Sequence, residues 1–154
     1  MRKRTLGIAV VVAIAFLFII SVITRPRWRV PTKEESAVAR LRTLNTAETI
    51  YKSAYPAVGF ACSLSQLGPP SSGSGSASSA GAGLIGSDLA SGVRYGYKFT
   101  IGTCNTRNGV TLDYQWLAIP QTPPQRYFFC TDASGVIRYS KTSGNDCLTA
   151  GNPI

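Results

Sequence analysis

The sequence predicts an α+β chain: an N-terminal transmembrane helix, then a long amphipathic helix packed on a small antiparallel sheet of three or four strands. Three observations carry this reading. Residues 5–24 are twenty consecutive uncharged residues. A helix of that length rises about 30 Å, the thickness of a bilayer's hydrocarbon core. Residues 32–55 contain neither Gly nor Pro and repeat apolar side chains at three- and four-residue steps. Beyond residue 94 the period shortens to aromatic–polar alternation in short runs, the mark of half-buried strands.

The apolar segment reads as a retained anchor. A cleaved signal has an apolar region of roughly 7–15 residues followed by a small-x-small site. Here the run is longer and ends in Ile23-Thr24-Arg25-Pro26. The predicted organisation is a cytoplasmic N-terminus (1–4), a transmembrane helix (5–24), a juxtamembrane linker (25–31) and an extracytoplasmic domain (32–154). Arg25, Arg27, Trp28 and Arg29 are predicted membrane-interface residues, the indole at headgroup depth and the guanidinium groups reaching out to phosphates. A core position for Trp28 is the alternative.

Net charge is +9, but six of the sixteen basic residues flank the apolar run: Arg2, Lys3, Arg4, Arg25, Arg27 and Arg29. Residues 30–154 keep ten basic and seven acidic side chains, a net of +3. The basicity therefore belongs to a lipid bilayer edge. No basic cluster with interleaved aromatics remains, so nucleic acid is not an expected partner.

Positive residues on both sides of the span leave orientation to the cysteines. Cys62, Cys104, Cys130 and Cys147 all lie beyond it, at least seventeen positions apart. Zinc sites want closely spaced pairs, and free buried thiols are the plainer alternative. Two disulfides in an oxidising compartment fit a small extracytoplasmic domain. Three connectivities are open. The favoured pairs are Cys130–Cys147, which would pin the tail, and then Cys62–Cys104.

Within the domain, Thr32 with Glu35 forms a predicted capping box, and Glu34 and Glu35 face the positive end of the helix dipole. Val38, Leu41, Leu44, Ala47/Glu48, Tyr51 and Tyr55 form the apolar stripe, and Pro56 closes the helix. Short helical turns are expected near 60–68 and 84–90. Residues 69–83, almost all Ser, Gly and Ala, are expected to be a flexible surface loop. Strands are expected at 95–103, 110–119, 126–131 and 136–140, with a turn at 105–109 and a hairpin connection at 132–135.

Enzymatic chemistry is not expected. With no histidine, Ser-His, Cys-His and most metal sites are excluded. Ser140 and Lys141 are adjacent, so on a regular strand they point to opposite faces. No phosphate-cradling glycine motif is present. Asp132, Asn145 and Asp146 are too few oxygens for calcium and read as turn residues, so no metal and no cofactor are predicted.

Glu35-Ser-Ala-Val-Ala-Arg-Leu-Arg-Thr-Leu-Asn-Thr-Ala-Glu48 resembles the post-anchor helix of type IV pilins and type II secretion pseudopilins. That helix carries an E-x-x-A-V-x-x-L-R-T-(I/L)-N-(T/S)-A-(E/Q) string. Residues 126–139 (RYFFCTDASGVIRY) resemble the terminal hairpin of the same group, and residues 84–102 its short helix and first strand. The resemblance covers about residues 34–140. It implies a pilin-like fold and a structural, non-enzymatic role in a type IV pilus or type II secretion-type system at a bacterial inner membrane. Other pilin-like subunits or secretion and pilus machinery proteins would be the partners. At the N-terminus the pattern departs: with Gly7 as leader glycine, Val12 stands where prepilins carry glutamate. The alternative is a membrane-tethered binding module that does not polymerise, which would need an exposed patch among Tyr95, Tyr97, Tyr114, Trp116, Tyr127 and Phe129.

Overall fold

Thr32 starts the first helix. Its hydroxyl accepts the Glu35 N–H at 3.1 Å and the Glu35 carboxylate accepts the Thr32 N–H at 2.8 Å, so two donors that have no helical partner are satisfied reciprocally. Helix α1 runs Lys33–Ala54 and buries Ala37, Val38, Leu41, Leu44, Ala47, Glu48 and Tyr51 along one stripe. The Tyr55 N–H bonds Tyr51 O and Pro56 follows, which ends the helix.

The computed structural model describes residues 32–70, 75–122 and 127–154. The chain divides into two units, Met1–Val30 and Pro31–Ile154, and every described residue belongs to the second. The expected membrane helix at 5–24 and the interface residues Arg25, Arg27, Trp28 and Arg29 lie outside the described residues. Among the described residues no helix is long and apolar enough to cross a membrane.

An irregular connection leads from α1 to α2 (Leu64–Leu67), capped by Ser63. The end of the Ser/Gly/Ala segment is tied down. Ala82, Gly83 and Leu84 donate backbone bonds to Gln66, Gly68 and Leu67, each at 2.8 Å. Helix α3 (Ser87–Ala90) then delivers the chain to the sheet.

Six antiparallel strands follow in sequential order: β1 (Val93–Arg94), β2 (Tyr97–Arg107), β3 (Val110–Pro120), β4 (Phe128–Asp132), β5 (Ile137–Ser140) and β6 (Asn152–Pro153). This overturns the expected fold class, whose sheet has three or four strands. The extra two are the edge strands, and each escaped for a physical reason. Tyr95 and Gly96 alternate with their neighbours like strand residues, yet both have positive φ (51° and 78°). They reverse the chain as a two-residue hairpin turn and pair Val93 with Lys98. At the other end, two residues carry no periodicity. Asn152–Pro153 pairs with β5 only because helix α4 (Gly144–Ala150), also not expected, brings it there. Strand β2 also extends to Arg107, with register shifts after Ile101 and Asn105, and turns at Asn108–Gly109.

Strand parity sorts the sheet into two faces. Tyr114, Trp116 and Ala118 of β3, Phe129 and Thr131 of β4 and Ile137 of β5 are buried with the α1 stripe, together with Tyr97, Phe99, Leu67, Ile85 and Leu89. Leu117 and Cys130 point the other way, into a smaller cluster with Cys147 and Leu148 of α4. The layers are therefore helix, sheet and a short C-terminal helix.

Candidate functional site

Helix α1 presents two different faces. Its inward face carries two polar side chains that grip the sheet. The Asn45 amide N–H donates to Thr131 Oγ1 at 2.9 Å and to Gly135 O at 3.0 Å, and its Oδ1 accepts from the Tyr114 hydroxyl at 3.2 Å. One turn on, Glu48 is fully buried. Its Oε1 accepts the Trp116 Nε1–H at 2.9 Å and its Oε2 accepts the Ala61 N–H at 2.8 Å. Burial outweighs these two donors and pushes the Glu48 carboxyl up to about 7 from 4.5. Burial also raises the Tyr114 phenol, as do the nearby Glu48, Asp132 and Asp113 carboxylates.

The outward face of α1 is built from small residues. Thr43, Thr46, Thr49 and Ser53 each donate the side-chain hydroxyl to the carbonyl four residues back, at 2.9–3.1 Å. Such back-bonding spends the hydroxyl donor on the helix itself. What faces outward is a row of small side chains with the exposed Arg42 among them, beside the half-exposed Ile50, which is 49% accessible.

The two disulfides join Cys62 to Cys104 and Cys130 to Cys147, each with Cα atoms 5.9 Å apart. The first ties the α1–α2 connection to β2. The second staples α4 to β4 from the far side of the sheet. No described cysteine is free.

A groove of about 450 Å³ opens between the first turns of α1 and strands β4 and β5, lined by Val38, Arg42, Tyr127, Phe129, Tyr139 and Ile154. The exposed sheet patch expected of a binding module does not form, because Tyr97, Tyr114, Trp116 and Phe129 are buried. Of the six aromatics, Tyr127 and Phe129 line the groove. Tyr127 is half-buried. Tyr95 stands out alone, 43% accessible, with the Arg40 and Arg94 guanidinium groups over its ring, and both lower its phenol.

A further polar cluster is a turn. Asp132 accepts from the Ser134 N–H and hydroxyl and pairs with Arg138 at 3.0 Å. Burial pushes its carboxyl up, but Ser134 and Arg138 outweigh that and hold it below the usual range. Among the described residues no group of three or more His, Cys, Asp or Glu side chains could hold a metal ion.

The sequence reading did not single out Asn45, Glu48 and Trp116 as one constellation. The available signal was Glu48 sitting on the apolar stripe, since a carboxylate at a core position needs donors. No protein-family model, curated protein or solved structure matches the chain.

Proposed function

We propose that the chain is a structural, non-enzymatic, membrane-anchored protein: a pilin-like or pseudopilin-like component of a type IV pilus or type II secretion-type envelope system. It would work from the outer face of a bacterial inner membrane, its partners the bilayer and other pilin-like subunits or machinery proteins. The observation that carries this reading is the outer face of α1. Four hydroxyls bonded back onto the helix leave small side chains that a second helix can approach without stranding a hydroxyl, and the exposed Arg42 is the charge on that face that its partner would have to meet. The post-anchor string 35–48 supports the same reading. Its inward members hold the sheet, so its outward members are free for contacts between subunits.

The aromatic groove favours a second reading, a tethered module that binds an envelope partner between α1 and the β4–β5 hairpin. One experiment separates the two. A photo-crosslinking residue is placed at Thr46 or at Tyr139 in the full chain, in native membranes, with intact mass of the extracted product read with and without reductant. Subunit assembly predicts multimeric adducts from position 46, lost when Thr49→Arg is added on the same face while the monomer stays folded. Adducts from position 139 alone, with a strictly monomeric α1 face, favour the module. The same masses report processing at Gly7 and the number of disulfides.

A further inference from the structure

We propose that the α1–α2 connection, residues 55–63, is a proton-gated flap, packed over the Glu48 side chain while that side chain is protonated and lifted when its ionisation draws in water. The connection contains no charged residue and no regular structure. On the sheet side it is held by two backbone bonds, Phe60 N–H to Thr111 O at 3.1 Å and Thr111 N–H to Val58 O at 2.8 Å. Among the described residues its one hydrogen bond to an α1 side chain is that from the Ala61 N–H to Glu48, and Tyr51 and Lys52 of α1 add ring contacts to Tyr55 and Phe60.

The backbone departs from regular geometry at the proximal end and again in mid-segment. Tyr55 leaves helical geometry at ψ 62°, and Gly59 sits at φ 84°, where its lack of a Cβ lets the backbone lie against Thr111. The Cys62–Cys104 bond tethers the distal end, so the segment can lift but not leave.

Glu48 is fully buried, and neither ion pair among the described residues involves it. The groups around it are few. Trp116 and the Tyr114 phenol face it from β3, Tyr51 lies next to it on α1, and the flap contributes only the Ala61 N–H. Lys52 is the near cation, but its Nζ lies over the Phe60 ring at 4.3 Å, and that ring belongs to the flap. A carboxylate there has two N–H donors and no counter-ion, so ionisation favours whatever motion brings in water. Lifting the flap does so, and each opening hands one proton to solvent. It also pulls Phe60 off the Tyr114 ring, 4.9 Å away, and widens the 310 Å³ hollow that those two side chains line with Asn45 and Lys52. Acid closes the flap, and neutral to alkaline conditions loosen it.

The test is hydrogen exchange of the full chain in a detergent micelle from pH 5 to 8, corrected for intrinsic rates. The open population of residues 58–62 should rise about tenfold per pH unit until Glu48 is ionised in the closed form. The Phe129–Thr131 amides of β4, which open only with the whole domain, should stay better protected than residues 58–62 at every pH. Glu48→Gln should abolish the slope. Trp116→Phe, which removes one of the two donors, should carry the slope to higher pH, and it keeps the test open should the Gln variant not fold. A flat wild-type profile, a Glu48→Gln slope equal to wild type, or an unmoved Trp116→Phe window overturns the proposal.

Discussion

The Cys130–Cys147 staple should be the condition on which the C-terminal layer exists. Helix α4 has seven residues and β6 has two, both far too short to persist without tertiary support. Both sulfurs are fully buried beside Leu117 on the sheet face away from α1. The bond closes a loop of 17 residues. Chain-entropy accounting gives such a loop about 3 kcal/mol at 25 °C. The Cys62–Cys104 loop of 42 residues comes to about 4 kcal/mol by the same relation. Set against a typical domain stability of about 5–15 kcal/mol, either loss is large. The paired substitution Cys130→Ala/Cys147→Ala should lower the urea unfolding free energy by about 3 kcal/mol, read by far-UV circular dichroism. It should also expose residues 144–154 to fast hydrogen exchange while β2 and β3 stay protected. Cys62→Ala/Cys104→Ala should cost as much or more yet leave 144–154 protected. An unchanged midpoint in the first variant, or persistent protection of 144–154, would refute the reasoning.

Three further outcomes follow from buried and partly buried polar groups. Glu48 is raised in the folded chain to about 7 against 4.5, so its contribution is complete below 4.5 and is lost as pH rises through 7. Unfolding free energy should therefore fall by about 3 kcal/mol across that window, and Glu48→Gln should flatten the fall. Asp132 is held low and has the opposite sign. Its contribution is present above the usual carboxylate range and fades in acid. Asp132→Asn should remove that acid limb in a pH-dependent melt while costing no more than about 1 kcal/mol at pH 7, because its Arg138 pair is partly solvated. Asn45→Ala strands the Tyr114 hydroxyl, Thr131 Oγ1 and Gly135 O, and should cost about 2 kcal/mol in urea denaturation, whereas Thr46→Ala on the outer face should be close to neutral.

How much of this was legible depends on whether the determinant was local. The capping box at Thr32, the stop at Pro56 and the glycine turn at 132–135 are short-range chemistry, and each stands where the residues indicated. The edge strands were not legible. A positive φ at Tyr95 is imposed by the pairing of Val93 with Lys98, and no propensity of tyrosine announces it. Helix α4 did leave a trace, since Ser143 caps it by accepting the Asp146 N–H. The spacing Ser-x-x-Asp is a start signal that a strand-dominated reading passed over. Glu48 shows the opposite difficulty. Its place on the stripe was visible, but its donors Ala61 and Trp116 lie 13 and 68 residues away, and such partners emerge only from the fold.

The sequential order of the sheet sets a timetable for folding. Each strand pairs with the next in the chain, so the hairpins at 108–109 and 132–135 can close over short loops, early and independently. Helix α1 precedes every strand, and its grip on the sheet is a distant one, Asn45 and Thr131 being 86 positions apart. Until the meander is complete, the greasy side of that helix has nowhere to go, which makes it the part of the nascent domain most in need of a chaperone's shelter.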